Sequence, residues 1–435
     1  MIKSFAALSI TTGVRLLTGL VLFVLLAREW SVGQFGQFMY LFSIAALLVL
    51  ACEFGFTQQI LREIGRAPSQ ARTLMGEYLG AKVWLTLLTA CLALGFAWLT
   101  DLSANDVAVL SALLLAALFM SYADFLMACF RALGSFGEET KLTVWGNLLF
   151  FVLACAALFG VTDTALMAGA VAGAMATARA VQLLMTWRVF KRRVPEPLQP
   201  AFDPSSSIAT IKKSSAYGAD VAVGAAFTNL DTVLIAHTLG AEGVGVYQAI
   251  ARIYQGMVLL PAILGSLFLP RLSRSLDDAP AFQKNCQQLS LSLLVGGAVA
   301  AAFFVWGGPL IALVYNDNLF QRSAELLPWF ALFVFVRFVA SIHGVVLTAL
   351  GRQGVRALIY VVALVVMVAT APYLLQHHAE SGMVMASTLA YTLLGTLFAI
   401  AALKNGQRPH LWKTSALVSL SLMAFCAWKA GIIRA

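Results

Sequence analysis

Twelve windows of this chain are almost purely apolar and close to the length that crosses a bilayer: 5–27, 37–59, 77–100, 107–131, 142–161, 164–187, 214–239, 246–270, 286–313, 324–350, 355–376 and 380–403. A helix needs about 20 apolar residues to span the hydrocarbon core. The windows are continuous runs of Leu, Ala, Val and Phe, not the alternating segments of a transmembrane barrel. Helices also satisfy their own backbone hydrogen bonds in lipid. Of the 435 residues 60% are hydrophobic and 11% charged, against about 25% charged in a soluble domain. The expectation is an all-α polytopic membrane protein. The first run carries Arg15 at its middle and is too long for a signal-peptide core, so it reads as a retained first helix. A weaker apolar stretch, 411–433, reads as an extra C-terminal helix, a thirteenth span.

Charge fixes an expected orientation. The loops after odd-numbered spans hold Arg28 and Arg322 alone, whereas the N-terminus and the even loops hold twenty Lys and Arg residues. Basic loops stay on the cytoplasmic side, which puts the N-terminus and every even loop in the cytoplasm. The net charge of +9 is then mostly a topology signal and not a nucleic-acid patch. The six cysteines fall inside apolar runs with no CxxC pair, and His377-His378 reads as part of a solvated loop, so neither suggests a metal.

The longest cytoplasmic linker, 188–213, contains Lys191-Arg192-Arg193 and then Pro195, Pro197, Pro200 and Pro204. Such a segment is not helical throughout. It divides the chain into an N-terminal six-helix lobe (1–187), the linker (188–213), a C-terminal six-helix lobe (214–403) and a tail (404–435). The lobes resemble each other locally. Ala27, Gly36 and Phe38 after span one correspond to Ala236, Gly245 and Tyr247 after span seven. Ala132-Leu133-Gly134 with Gly137 closes span four, and Ala349-Leu350-Gly351 with Gly354 closes span ten. Two six-helix bundles in the same sense imply a pseudo-two-fold axis along the membrane normal. Such an arrangement places a cavity between the lobes.

Four stretches carry a resemblance. They are 27–38 (AREWSVGQFGQF), 53–63 (EFGFTQQILRE), 238–247 (TLGAEGVGVY) and 270–273 (PRLS). In order and spacing they resemble the Wzx-type O-antigen and exopolysaccharide flippases, part of a superfamily with multidrug exporters and the peptidoglycan lipid flippase. The resemblance covers about the first 400 residues. It implies movement of an oligosaccharide linked through pyrophosphate to a polyprenol such as undecaprenol, from the cytoplasmic to the periplasmic leaflet of a bacterial inner membrane. Family members usually have twelve spans, so the tail departs from the pattern.

Ionisable residues inside spans are costly and therefore functional candidates. Arg15 and Arg337 lie mid-span, each on a polar face. Arg252 and Arg179 lie about two turns from a membrane face, where snorkelling competes with a functional role. Guanidinium groups bind phosphate in a fork and stay charged, so Arg15, Arg337, Arg252 and Arg179 are the candidate substrate-binding residues of a cationic inter-lobe cavity. Lys82 is expected to snorkel. Glu53, Asp124, Asp220 and Asp231 are candidates for H+ or Na+ coupling, or partners that neutralise the arginines. Asp220 and Asp231 share one helix face. Pro261 is expected to kink span eight.

No nucleotide loop, catalytic triad or metal-ligand spacing appears, and no cofactor is expected. The alternatives are an ion-coupled multidrug or small-solute antiporter of the same fold and, from another class, a membrane polymerase or glycosyltransferase. A polysaccharide polymerase is a possible partner of a flippase.

Overall fold

The computed structural model describes residues 2–193, 200–315 and 317–403; side chains are described from Thr11 on, apart from a few positions inside helices, Asp220 among them. The expected tail helix at 411–433 lies outside the described residues. The described chain is helical almost throughout: α1 (Ile2–Glu29), α2 (Val32–Glu53), α3 (Phe56–Arg66), α4 (Ala71–Leu99), α5 (Ala104–Ala132), α6 (Phe136–Gly160), α7 (Thr164–Arg193), α8 (Pro204–Met257), α9 (Leu259–Arg274), α10 (Ala279–Trp306), α11 (Gly308–Val314), α12 (Asp317–Ala324), α13 (Leu327–Ala349) and α14 (Gln353–Leu403).

Among the described residues ten helical stretches are long and apolar enough to cross a membrane. Two of them, Tyr217–Arg274 with 58 residues and Gln353–Ala402 with 50, are each long enough to cross twice. Each reverses once, at Gly240 (φ 73°) and at Ala379 (φ 48°). The Tyr247 hydroxyl donates to Asp231 at 2.7 Å across sixteen residues, which a straight helix would hold about 24 Å apart. A Cβ on Gly382 would fall 2.1 Å from the Leu374 carbonyl, so the second reversal is equally tight. The apolar windows of the sequence end and restart on either side of these two points.

Two details differ from the sequence reading, and a third, in span eight, agrees with it. Span two is not continuous: Phe54 (φ 38°) and Gly55 (φ 69°) break it, and α3 continues as an amphipathic helix. His377 and His378 lie in the last turn of helix before Ala379, not in a loop. Span eight is interrupted at Val258, between α8 and α9. Pro261 accounts for that break, because it has no N–H to donate to the Met257 carbonyl about one turn earlier.

Residues of local sequence fix the other helix ends. Ser103 caps α5 by accepting from the Asp106 N–H at 3.1 Å, and Asp278 caps α10 by accepting from the Ala281 N–H at 3.1 Å. Asp203 accepts from the Ser206 N–H at 2.9 Å at the start of α8. The Ser205 hydroxyl and that N–H hold its carboxyl below the usual carboxylate range. At the other end of a helix, Gly134 (φ 78°) and Gly351 (φ 72°) adopt the left-handed cap. Ser135 N donates to Phe130 O at 2.8 Å, and Arg352 N donates to Leu347 O at 3.0 Å. The two Ala-Leu-Gly motifs thus close their helices with the same hydrogen-bond pattern.

The chain forms two compact units. The first contains the described residues up to Leu26 and Phe38–Leu230; the second contains Ala27–Gln37 and the described residues from Asp231 on. In the first, Phe56, Ile60 and Ile64 from one face of α3 pack with Met75 and Tyr78 of α4, Phe125 and Phe130 of α5 and Phe190 of α7. The linker re-enters against α4: Ala201 N donates to Gly76 O and Trp84 Nε1 to Phe202 O, both at 3.2 Å. Gly80 permits this approach, since a Cβ there would fall 2.0 Å from the Ala201 carbonyl. The second unit is built round α13, almost wholly buried. Its aromatic core joins Tyr247, Tyr254, Phe304, Phe330, Phe333 and Tyr391, with neighbouring ring centroids 4.7–5.8 Å apart.

Candidate functional site

A cavity of about 300 Å³ opens in the first unit, lined by Thr11, Thr12, Arg15, Glu53, Gly55, Thr57, Gln58, Asp124, Arg131, Glu139 and Val221. The break in span two shapes it. With Phe54 and Gly55 in the left-handed region, the chain brings Glu53, Gly55, Thr57 and Gln58 to one wall. Gly55 is required there twice over: its φ disfavours a side chain, and a Cβ would fall 2.5 Å from the Tyr217 backbone carbon.

The charges in the cavity are mixed. Arg15 Nη2 donates to Asp124 Oδ1 at 2.8 Å, and Arg131 Nε lies 3.1 Å from Glu139 Oε1. Asp124 therefore pairs with Arg15 of α1, and not with Arg131 two turns along its own helix. Glu139 and Glu53 also act on Arg15 electrostatically. Glu53 makes no ion pair among the described residues. The cavity is wet enough in character to hold a charged ligand, and its two guanidiniums are engaged by carboxylates that such a ligand would have to displace.

Arg179 shares the unit but does not line the cavity. It is 6% exposed, donates to Gln182 Oε1 at 2.6 Å and Asn147 Oδ1 at 3.1 Å, and lies 4.4 Å from the Phe150 ring centroid. It does not snorkel. The other two arginines belong to the second unit. Arg252 donates to Gln255 Oε1 at 3.0 Å. Arg337 lies 4.3 Å from the Tyr391 ring centroid and has no carboxylate partner among the described residues. Its Nε is buried without a hydrogen bond. Asp231 is buried and accepts from Tyr247 Oη at 2.7 Å and from Thr232 N at 2.6 Å. Asp220 lies on the same helix, with its side chain outside the described set.

Lys82 departs from the sequence expectation. It is 1% exposed and reaches inward: Nζ donates to Ser121 Oγ at 2.7 Å and to the Cys52 carbonyl at 3.2 Å. Snorkelling loses to these acceptors because the break after Glu53 strands a backbone carbonyl within reach. Sequence periodicity gives no sign of that acceptor.

Residues 1–276 match the family described as "Polysaccharide biosynthesis protein". The chain belongs to that family. A further relative, a putative O-antigen transporter of Shigella flexneri, is 26% identical over 136 residues, which is 31% of this chain and 32% of the relative. The match thus spans about a third of that curated relative. Solved structures extend the family assignment to the fold. An inward-facing multidrug resistance MATE transporter of the MOP superfamily superposes with a TM-score of 0.71 at 13% identity, covering 97% of this chain and 99% of the other. Lipid II flippase MurJ in an inward closed conformation superposes with a TM-score of 0.69 at 12% identity, covering 97% of each. A MOP superfamily transporter from Pyrococcus furiosus gives 0.65 at 15% identity, covering 93% of this chain and 95% of the other. This member of the polysaccharide biosynthesis family is an all-helical, multi-pass membrane protein that shares the fold of those solved structures.

Proposed function

We propose that this chain flips a polyprenyl-pyrophosphate-linked oligosaccharide from the cytoplasmic to the periplasmic leaflet of a bacterial inner membrane, by alternating access. The observation that carries this reading is family membership across residues 1–276. The printed roles of the relatives, an O-antigen transporter and a lipid II flippase, support it. In this reading the two lobes are 1–187 and 214–403, joined by the linker 188–213, and the N-terminus is cytoplasmic.

The chemistry of the site fits an anionic, oxygen-rich headgroup. Arg15 and Arg131 present guanidiniums to a polar cavity, and Arg15 is the primary phosphate contact. Arg337, held over an aromatic ring without a carboxylate, is the second, with Arg252 and Arg179 as supporting charges. A phosphate that takes Arg15 must displace Asp124, so the resting ion pair holds the guanidinium in place without neutralising it permanently. Glu53, Asp124, Asp220 and Asp231 are the candidates for H+ or Na+ coupling; Asp124 is engaged by Arg15, whereas Glu53 and Asp231 make no ion pair among the described residues. The chain acts as a transporter and not an enzyme, and a polysaccharide polymerase consumes its product.

The test is made in a strain lacking the gene. Accumulation of polyprenyl-pyrophosphate oligosaccharide on the cytoplasmic leaflet with loss of surface polysaccharide, reversed by the intact gene, is the expected result. Normal polysaccharide with altered resistance to toxic cations would instead establish an antiporter of the same fold.

A further inference from the structure

Helix α8 begins earlier than its apolar sequence does. The apolar window opens at 214, whereas the helix starts at Pro204. From Pro204 to the reversal at Gly240 the helix is about 54 Å long at about 1.5 Å per residue, and a hydrocarbon core is about 30 Å thick. The first turns therefore lie outside the hydrocarbon, either in water or at the interface.

The side chains of those turns are sorted the wrong way for water. Ser207, Thr210 and Ser214 are buried against the protein, and at spacings of three and four they share one face. The opposite face carries Ile208, 53% exposed, beside exposed Ala209 and Lys212. Just before the helix, Phe202 is 54% exposed. A helix bathed in water turns its apolar side inward and its polar side outward. Here hydroxyls face in, and large apolar side chains face out among exposed Asp203, Ser205 and Lys212. A mixed belt of that kind suits the headgroup level of a bilayer.

The neighbouring helix shows what covers this face. The Phe202 carbonyl accepts from Trp84 Nε1, and Ala201 N donates to Gly76 O, both at 3.2 Å. Trp84 opens the exposed apolar stripe of α4, which continues through Leu87, Leu88 and Leu92. That helix is long and apolar enough to cross a membrane, so lipid is the solvent of the stripe. Phe202 is thus stitched to the end of a lipid-facing surface, through a residue type that collects at membrane interfaces. All of these residues belong to the first unit.

We propose that 201–212 is a membrane-docking segment. Phe202 and Ile208 insert at the headgroup–acyl boundary of the leaflet beside the start of α4, and Lys212 meets anionic phospholipid headgroups there. Apolar burial and the attraction of basic side chains to anionic lipid act together in such segments. The linker that the sequence places in solution then ends on the bilayer surface. None of this rests on the transport reading.

The test puts the photo-crosslinking residue p-benzoylphenylalanine in place of Phe202, Ile208 or Leu87 in the full-length protein in bacterial membranes. On irradiation the benzophenone inserts into C–H bonds within reach, and mass spectrometry identifies the adducts. Phospholipid adducts are expected at Phe202 and Ile208, as at Leu87, the lipid-facing control. Capture of another protein at Phe202 and Ile208, or no adduct there while Leu87 captures lipid, overturns the proposal. In nanodiscs of phosphatidylethanolamine and phosphatidylglycerol, Lys212→Gln should lower the ratio of phosphatidylglycerol to phosphatidylethanolamine captured at Ile208 by about fivefold. An unchanged ratio overturns the role given to anionic headgroups. Adducts form whether or not export occurs, so failure here is distinct from failure of the flippase reading.

Discussion

Gly36 and Gly245, the matching glycines of the two repeated motifs, sit against each other's segments. A Cβ on Gly36 would fall 2.7 Å from Gly245 N and 1.7 Å from the Ala241 carbonyl oxygen; a Cβ on Gly245 would fall 2.2 Å from the Val32 carbonyl oxygen. The start of α2 and the second arm of α8 therefore cross at backbone contact, as small residues allow in membrane helices. Gly36→Ala and Gly245→Ala must each push the helices apart. Overpacking of this kind costs about 1–3 kcal/mol. Thermal unfolding in detergent should show both variants below wild type, while Gly169→Ala, with open space at its Cβ position, should not fall. Equal melting of all three would show that the crossing tolerates a methyl group.

The shared cap at Gly134 and Gly351 yields a paired prediction. Both residues have φ near 75°, at 78° and 72°, and neither meets a neighbour at its Cβ position. Alanine there is strained only by its backbone, by about 1–2 kcal/mol. Gly134→Ala and Gly351→Ala should lower stability by similar amounts, read from the same melts. Widely different losses would mean that the two motifs are not equivalent in the folded protein.

Arg15→Ala should abolish export while the protein remains in the membrane. The loss of one charge-assisted hydrogen bond to a phosphate is about 1.5–3 kcal/mol, or about ten- to a hundredfold in headgroup affinity. Arg337→Ala should do the same. Surface polysaccharide and membrane protein level, measured together, separate lost transport from lost folding. Normal polysaccharide from either variant would remove that arginine from the substrate path.

Orientation is open to a direct check. A reporter fused after Asp101 should be active only as a periplasmic protein, and one fused after Ser135 only as a cytoplasmic one. The reverse pattern would invert the charge argument, which rests on twenty basic residues in the N-terminus and even loops against two in odd loops.

The contrast between Lys82 and Arg179 shows how far the sequence could be read. Both lie toward a helix end, and both invite snorkelling because their stems are long and apolar. Both are buried, at 1% and 6% exposure. What holds them is a set of acceptors distant in sequence: Cys52 and Ser121 for Lys82, and Asn147 for Arg179. The pairing of Arg15 with Asp124 was equally hidden. Arg131 is the nearer cation to Asp124 along the same helix, yet α1 supplies the partner across 109 residues.

The sequence alone determined that this chain is helical and crosses the membrane repeatedly, because apolar length and backbone hydrogen bonding in lipid leave few other solutions. It also marked the Gly134 and Gly351 caps, since a left-handed turn demands a local residue type. Tertiary structure alone decided where span two breaks, which carboxylate holds which guanidinium, and that Lys82 points inward. Those outcomes depend on which acceptors converge within about 3 Å in a low-dielectric interior, and convergence of that kind is a property of packed helices and not of spacing along the chain.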